Sequence, residues 1–218
     1  MDWFPLWNSL RIAAISSVIV FFLGILAAYK IAKLPRVLKG TLDVILTLPL
    51  VLPPTVCGWF LLMLLGVRRP FGMFLLQFGI KFVMTWYGGI ATAVLVAFPL
   101  MYRAARGAFE GVDQNLVWSG NTLGLSNTFI FWRIIMPAAK QGVLAGIVLS
   151  FARAIGEYGA TSMLVGYIPG RTATISTTVY QLWRTNDEAG ALKWVLVNIA
   201  ISAAVLLCVN FLEKRRQS

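Results

Sequence analysis

Five stretches of this 218-residue chain are each apolar for about the length a helix needs to cross a lipid bilayer, and short basic runs separate them. A span takes about 20 mainly apolar residues. The stretches lie at about 9–29, 41–65, 82–102, 142–165 and 192–212. Apolar residues make up 59% of the chain and charged ones only 12%, against roughly 45–50% and 25% in a soluble domain. The sequence therefore predicts an all-α, polytopic membrane helix bundle, a single domain over residues 1–218 with a lipid bilayer around it. The net charge of +11 would suggest nucleic acid if it lay on one solvated face. It falls instead between the apolar stretches, so no nucleic-acid partner is expected.

Basic residues fix orientation in a membrane. Lys30, Lys33, Arg36, Lys39, Arg103, Arg106, Arg133, Lys140, Lys214, Arg215 and Arg216 fall on one side. Arg11, Arg68, Arg69, Lys81, Arg171, Arg184 and Lys193 fall on the other. Eleven against seven places the N-terminus outside and the C-terminus in the cytoplasm. The first stretch has no basic n-region before it, so it reads as a retained span rather than a signal peptide. Cys57 and Cys208 both sit in apolar stretches and read as reduced. The chain has no histidine, which removes the usual base and metal ligand from consideration. Outside the membrane, residues 67–81 are apolar but too short to span, and residues 167–190 can hold a short helix.

The segment at 104–141 carries capping signals. Asp113 can cap a helix from Gln114 to Leu123, which Gly124 can end in a left-handed conformation. Ser126 or Asn127 can cap a second helix that stops at Pro137. A helix, a glycine turn and a helix on the basic side can form a docking element, or a hairpin packed on its own bundle.

The spacing within this hairpin resembles the signature loop of ABC importer permeases, which reads Glu-Ala-Ala, three residues, Gly, nine residues, Ile-x-Leu-Pro. Here Trp118-Ser119-Gly120 is followed after three residues by Gly124, and after nine more by Ile134-Ile135-Met136-Pro137. Trp118 stands in place of the glutamate and Met136 in place of the leucine. Further segments narrow the likeness. Residues from Leu48 to Gly58, with Pro49, Pro53, Pro54 and Thr55, are similar to the second-span motif of molybdate permeases of the ModB type. Phe98-Pro99-Leu100-Met101 and Glu110-Gly111-Val112-Asp113 look like the same family. Phe151 to Ala160, with Arg153 and Glu157, is shared with sulfate and thiosulfate permeases.

The resemblance implies a type I ABC importer permease fold with a cytoplasmic coupling helix, spanning about 113–137. It implies that Trp118, Ser119, Gly120, Gly124, Ile134, Met136 and Pro137 couple the chain to an ATPase. The expected assembly has two copies of this chain and two of an ABC ATP-binding subunit, with an extracytoplasmic molybdate-binding protein outside. It would import molybdate by alternating access across a prokaryotic plasma membrane. Tungstate and sulfate or thiosulfate are the alternative cargoes. The chain has no phosphate-binding loop of the Gly-x-x-x-x-Gly-Lys-[Ser/Thr] kind. No cofactor is expected in this subunit, and ATP with its magnesium would be bound by the partner. An ATP-independent pore and a membrane-embedded enzyme are the more distant readings.

Two features lie inside predicted spans. Arg153 and Glu157 are four apart, so on one helix they would meet across a turn. The pair either attracts an anion along the path or is a neutralised packing contact. Pro49, Pro53 and Pro54 remove backbone donors, and such breaks persist at membrane depth only against protein or a water-filled cavity. They mark a face toward the translocation path, with Thr47 and Thr55 as hydroxyl donors, or a packing kink.

Overall fold

A computed structural model of the chain describes residues 2–214, with side chains described through residue 207. The Cys208 side chain and the basic tail (the Lys214 side chain, Arg215 and Arg216) lie outside these described residues. Eleven α-helices run in the order α1 (Phe4–Ala32), α2 (Arg36–Thr47), α3 (Pro54–Leu65), α4 (Pro70–Gln77), α5 (Trp86–Glu110), α6 (Gln114–Thr122), α7 (Asn127–Ile130), α8 (Met136–Ile155), α9 (Gly159–Leu164), α10 (Ile175–Arg184) and α11 (Glu188–Lys214). Among the described residues there is no strand.

Among the described residues, four helices are long and apolar enough to cross a bilayer: α1, α5, α11 and the continuous run 127–155 that ends with α8. The predicted second span is not one rod. Its two halves, α2 extended by a 3₁₀ turn (Leu48–Leu50) and then α3, meet at an angle of 106°. The cause is local. Pro53 and Pro54 offer no backbone N–H to the turn before them, and α3 restarts with Pro54 as its first residue. The third span starts at Trp86 and runs on to Glu110, past the predicted end at 102. The fourth was expected at 142–165, yet α8 stops at Ile155, and residues 156–158 separate it from the short helix α9.

The core is α5, gripped by α1 and α8. Small residues make this possible. Gly142 and Gly146, one turn apart on α8, face Ala108 and Ala104 of α5, where an added Cβ would come within 2.7 Å of each alanine methyl. One turn further on, the Ser150 hydroxyl donates to the Gly146 carbonyl at 2.8 Å. Bilayer proteins gain helix association from such close packing, since lipid gives apolar side chains no hydrophobic reason to leave it. Around this core, Phe22, Leu26, Leu196, Ile199 and Leu206 remain exposed.

The two ends of the bundle differ. At one end, Asn8 donates to the Ala173 carbonyl at 2.9 Å, Ser9 accepts from the Ile175 N–H, and the Arg11 guanidinium lies 3.6 Å from the centre of the Trp86 ring. Helix α10 sits here, capped by a reciprocal Thr174–Thr177 box. At the other end, Phe131 packs against Tyr29 of α1 and Phe109 of α5. The hairpin of residues 113–137 projects from this second end.

Candidate functional site: a hairpin and two facing helix breaks

The hairpin is built by the capping residues that the sequence advertises. The Asp113 carboxylate accepts from the Asn115 N–H at 2.9 Å, and the Ser126 hydroxyl accepts from the Phe129 N–H at 3.2 Å. Between them, Gly124 has φ +72. Its N–H bonds the Asn121 carbonyl at 3.0 Å, and the Leu125 N–H reaches back to the Gly120 carbonyl at 3.1 Å. This pair of bonds is a Schellman cap, which needs a residue comfortable in the left-handed region. Gly120 is buried beneath the second leg: a Cβ there would lie 3.1 Å from Ile130 Cγ1 and 3.2 Å from Ile134 Cδ1. The spacing between Gly120, Gly124 and Ile134 thus has a geometric meaning. It folds the two legs onto each other through one glycine contact.

Pro137 does not end the second leg, contrary to the expectation from sequence. Residues Phe131–Ile135 form a π-helical run that passes directly into α8, with Pro137 near its start. A proline inside an α-helix clashes with the carbonyl four residues back. The wider i→i+5 turn accommodates that residue without breaking the rod. The hairpin's outer surface is apolar: Trp118 is 62% exposed and Leu123 77%, with Leu116, Phe129 and Trp132 exposed beside them. Ser119 and Pro137 are also exposed, while Ile134 and Met136 are half-buried.

The two breaks at membrane depth come together. An added Cβ on Gly159 would lie 2.8 Å from Pro54 Cβ and 3.1 Å from the Thr55 nitrogen, and one on Gly58 would lie 2.7 Å from Ala160 Cα. Helices α3 and α9 therefore touch almost backbone to backbone. Pro53, Pro54 and Thr55 remain exposed and Pro49 half-buried. Thr47 is not a free donor, since its hydroxyl is committed to the Asp43 carbonyl at 2.6 Å.

Arg153 and Glu157 do meet, with Arg153 Nη1 2.7 Å from Glu157 Oε2. They do not share a helix, however, because Glu157 lies in the break after α8. Its other oxygen accepts from the Ala160 N–H at 2.6 Å, at the start of α9. The Glu157 side chain is 2% exposed and that of Arg153 29%. One carboxylate thus joins the end of α8 to the start of α9.

A third cluster was not anticipated. Asp43 of α2 accepts from the Tyr102 hydroxyl and pairs with Arg106, both on α5. Arg106 also pairs with Glu110 at 2.9 Å, and Glu110 with Lys39 of α2 at 2.9 Å. A cavity of about 410 Å³ opens beside it, lined by Thr47, Arg103 and Gly107 among others. These partners lie 59 and 71 residues apart in sequence, so no local pattern announces them. Within each helix the members are four apart, Lys39 and Asp43 on α2 and Tyr102, Arg106 and Glu110 on α5, but that spacing does not say that the two helices meet.

Among the described residues, the helices, the four spans with a fifth broken one, and the capped hairpin at one end make a multi-pass membrane helix bundle. The chain belongs to the family described as binding-protein-dependent transport system inner membrane component, whose pattern matches residues 20–217. It is 38% identical over 215 residues to the molybdenum transport system permease protein ModB of Escherichia coli K12, covering 98% of this chain and 94% of that protein. It is 38% identical to the ModB of Haemophilus influenzae, covering 96% of this chain and 92% of that one. A more distant relative, at 28% identity, is the sulfate transport system permease protein CysT of Salmonella typhimurium, covering 95% of this chain and 75% of that protein. In fold, the chain superposes with a TM-score of 0.75 at 14% identity on a chain of the MetNI methionine ABC transporter in an inward-facing conformation. That match covers 98% of this chain and 97% of the other.

Proposed function

We propose that this chain is the membrane-spanning permease subunit of an ATP-driven importer whose cargo is molybdate. The observation that carries the reading is the 38% identity, over nearly the full length of both chains, to molybdenum transport permeases. The residue roles extend that reading to the hairpin and to the two breaks. The hairpin, with Trp118, Ser119, Gly120, Gly124, Ile134, Met136 and Pro137, docks into a separate ATP-binding subunit, which binds the ATP and magnesium. Its exposed apolar side chains support this, because isolated Trp and Leu clusters facing water call for a partner. With Trp118 where the signature loop has a glutamate, the contact is more apolar than charged.

The face formed by Pro49, Pro53, Pro54 and Thr55, opposite the Arg153–Glu157 break, lines the route of the anion. Irregular backbone at this depth is supported where it borders a polar cavity. Two copies of the chain enclose the route, a binding protein delivers the anion from outside, and the hairpin end faces the cytoplasm. The charge distribution supports that orientation. Sulfate is the second reading, favoured by the more distant identity to a sulfate permease.

The test is uptake into proteoliposomes holding the chain, its ATPase and its binding protein. Radiolabelled molybdate should accumulate only with ATP inside, and a hundredfold excess of sulfate should not compete. Accumulation of sulfate with none of molybdate would overturn the cargo, and accumulation without ATP would overturn the class.

A further inference from the structure

A groove of about 490 Å³ runs along the outside of the bundle at the hairpin end. Phe21, Phe22, Ile25, Leu26 and Tyr29 of α1 form one wall, and Phe131 and Trp132 the other. Phe22 and Leu26 are 63% and 51% exposed. Its floor is the Tyr29–Phe131 ring pair, with centroids 4.4 Å apart. At the end of α1 the groove changes character, because Lys33, Asn127 and Thr128 line it there. The Lys33 ammonium is held in place by Tyr29: its Nζ donates to the phenol oxygen at 2.7 Å and sits 4.1 Å from the ring centre. No carboxylate pairs with it among the described residues.

The dimensions identify the occupant. From Phe21 to Lys33 the helix rises about 18 Å at 1.5 Å per residue. One leaflet of a roughly 30 Å hydrocarbon core is about 15 Å deep. The groove therefore runs the depth of one leaflet, apolar throughout and basic at its polar margin. Trp132, on the wall opposite α1, is 57% exposed. We propose that this groove binds an anionic phospholipid, with one acyl chain along α1 and the phosphate on Lys33, Asn127 and Thr128. The lipid then touches α1 and the first turn of the hairpin's second leg together. The site rests on the chain being a membrane permease, and the orientation proposed above puts it in the cytoplasmic leaflet.

Native mass spectrometry of the full-length chain in its intact complex, with equimolar phosphatidylglycerol and phosphatidylcholine added, tests the site. The first bound lipid should favour phosphatidylglycerol by about fivefold, the factor that one lysine near an anionic surface contributes. Lys33→Gln should bring the two lipids within twofold of each other, while Lys193→Gln at the opposite end should change nothing. Leu26→Trp, at a position 51% exposed in the groove wall, should reduce binding of both lipids. Equal binding of the two lipids by the unaltered chain, or a preference that survives Lys33→Gln, would overturn the proposal. Neither result bears on molybdate uptake, which is read separately.

Discussion

Substituting Gly124 by alanine isolates the worth of one backbone angle. At φ +72 an alanine costs about 1–2 kcal/mol relative to glycine, from the clash of its Cβ with the following carbonyl. Nothing lies within 4 Å of that Cβ, so no steric term from the rest of the protein adds to the figure. The strain falls on a single structure, the Schellman cap joining Leu125 to Gly120 and Gly124 to Asn121. Local opening of the hairpin should therefore rise by roughly 5- to 30-fold, the range that 1–2 kcal/mol corresponds to. Hydrogen–deuterium exchange followed by mass spectrometry reads this directly. Peptides covering residues 120–126 should exchange faster by that factor, and those from the middle of α5 should not change. Gly124→Asn should give a smaller acceleration, because asparagine enters the left-handed region more readily. Unchanged exchange in Gly124→Ala, or equal acceleration by asparagine, would show that the turn is held by something other than its backbone angle.

Gly58→Leu should lower the unfolding midpoint in detergent by the equivalent of about 1–3 kcal/mol, as overpacking does. The atoms met by the new Cβ are the Ala160 backbone at 2.7 and 2.9 Å, which cannot rotate aside, so a midpoint unchanged within error would refute the close packing of α3 on α9. Arg153→Gln leaves the Glu157 carboxylate, 2% exposed, without its cation. The loss should approach about 3–5 kcal/mol, reduced by the partial exposure of Arg153, and the double variant with Glu157→Gln should recover part of it. If the single variant assembles with normal stability but fails to transport, the pair acts on the anion and not on the fold. For Asp43→Asn and Arg106→Gln, thermal denaturation should show non-additivity of about 0.5–3 kcal/mol in a double-mutant cycle. Strict additivity would mean that α2 is not held by this pair.

The local features of the fold were readable because their causes are local. Asp113, Gly124 and Ser126 each act within three residues of themselves, and all three do in the structure what their chemistry suggests. The double proline announced a break, though not its 106° angle, which depends on where α3 finds α9 to lean on. The misreadings have equally specific reasons. Pro137 was read as a stop because a proline ends an α-helix, and a π turn is not visible in composition. The early end of α8 was hidden because Gly159 to Leu164 carries no charge and could be read as a continuation of the span. The Lys39, Asp43, Tyr102, Arg106 and Glu110 cluster joins two helices that only the finished bundle brings side by side. The proposed roles of the hairpin came from motif spacing and those of the path residues from prolines and charges inside predicted spans, and the structure supplies a geometric reason for the spacing only at Gly120, Gly124 and Ile134.

The uninterrupted course of the chain from Asn127 to Ile155 has a mechanical consequence. At 29 residues it is about 43 Å long at 1.5 Å per residue, and it stays helical through the π turn at Phe131–Ile135 and past Pro137. Its near end is the hairpin leg that seats Gly120, and its far end carries Arg153, which pairs with Glu157 just beyond it. One continuous helical element therefore joins the hairpin to Arg153, and through Glu157 it is tied to α9 and to the double-proline corner against which α9 rests. Residues 156–158 are where this element ends and α9 begins, so a change in the angle between the two falls on the segment that holds the buried Glu157 carboxylate.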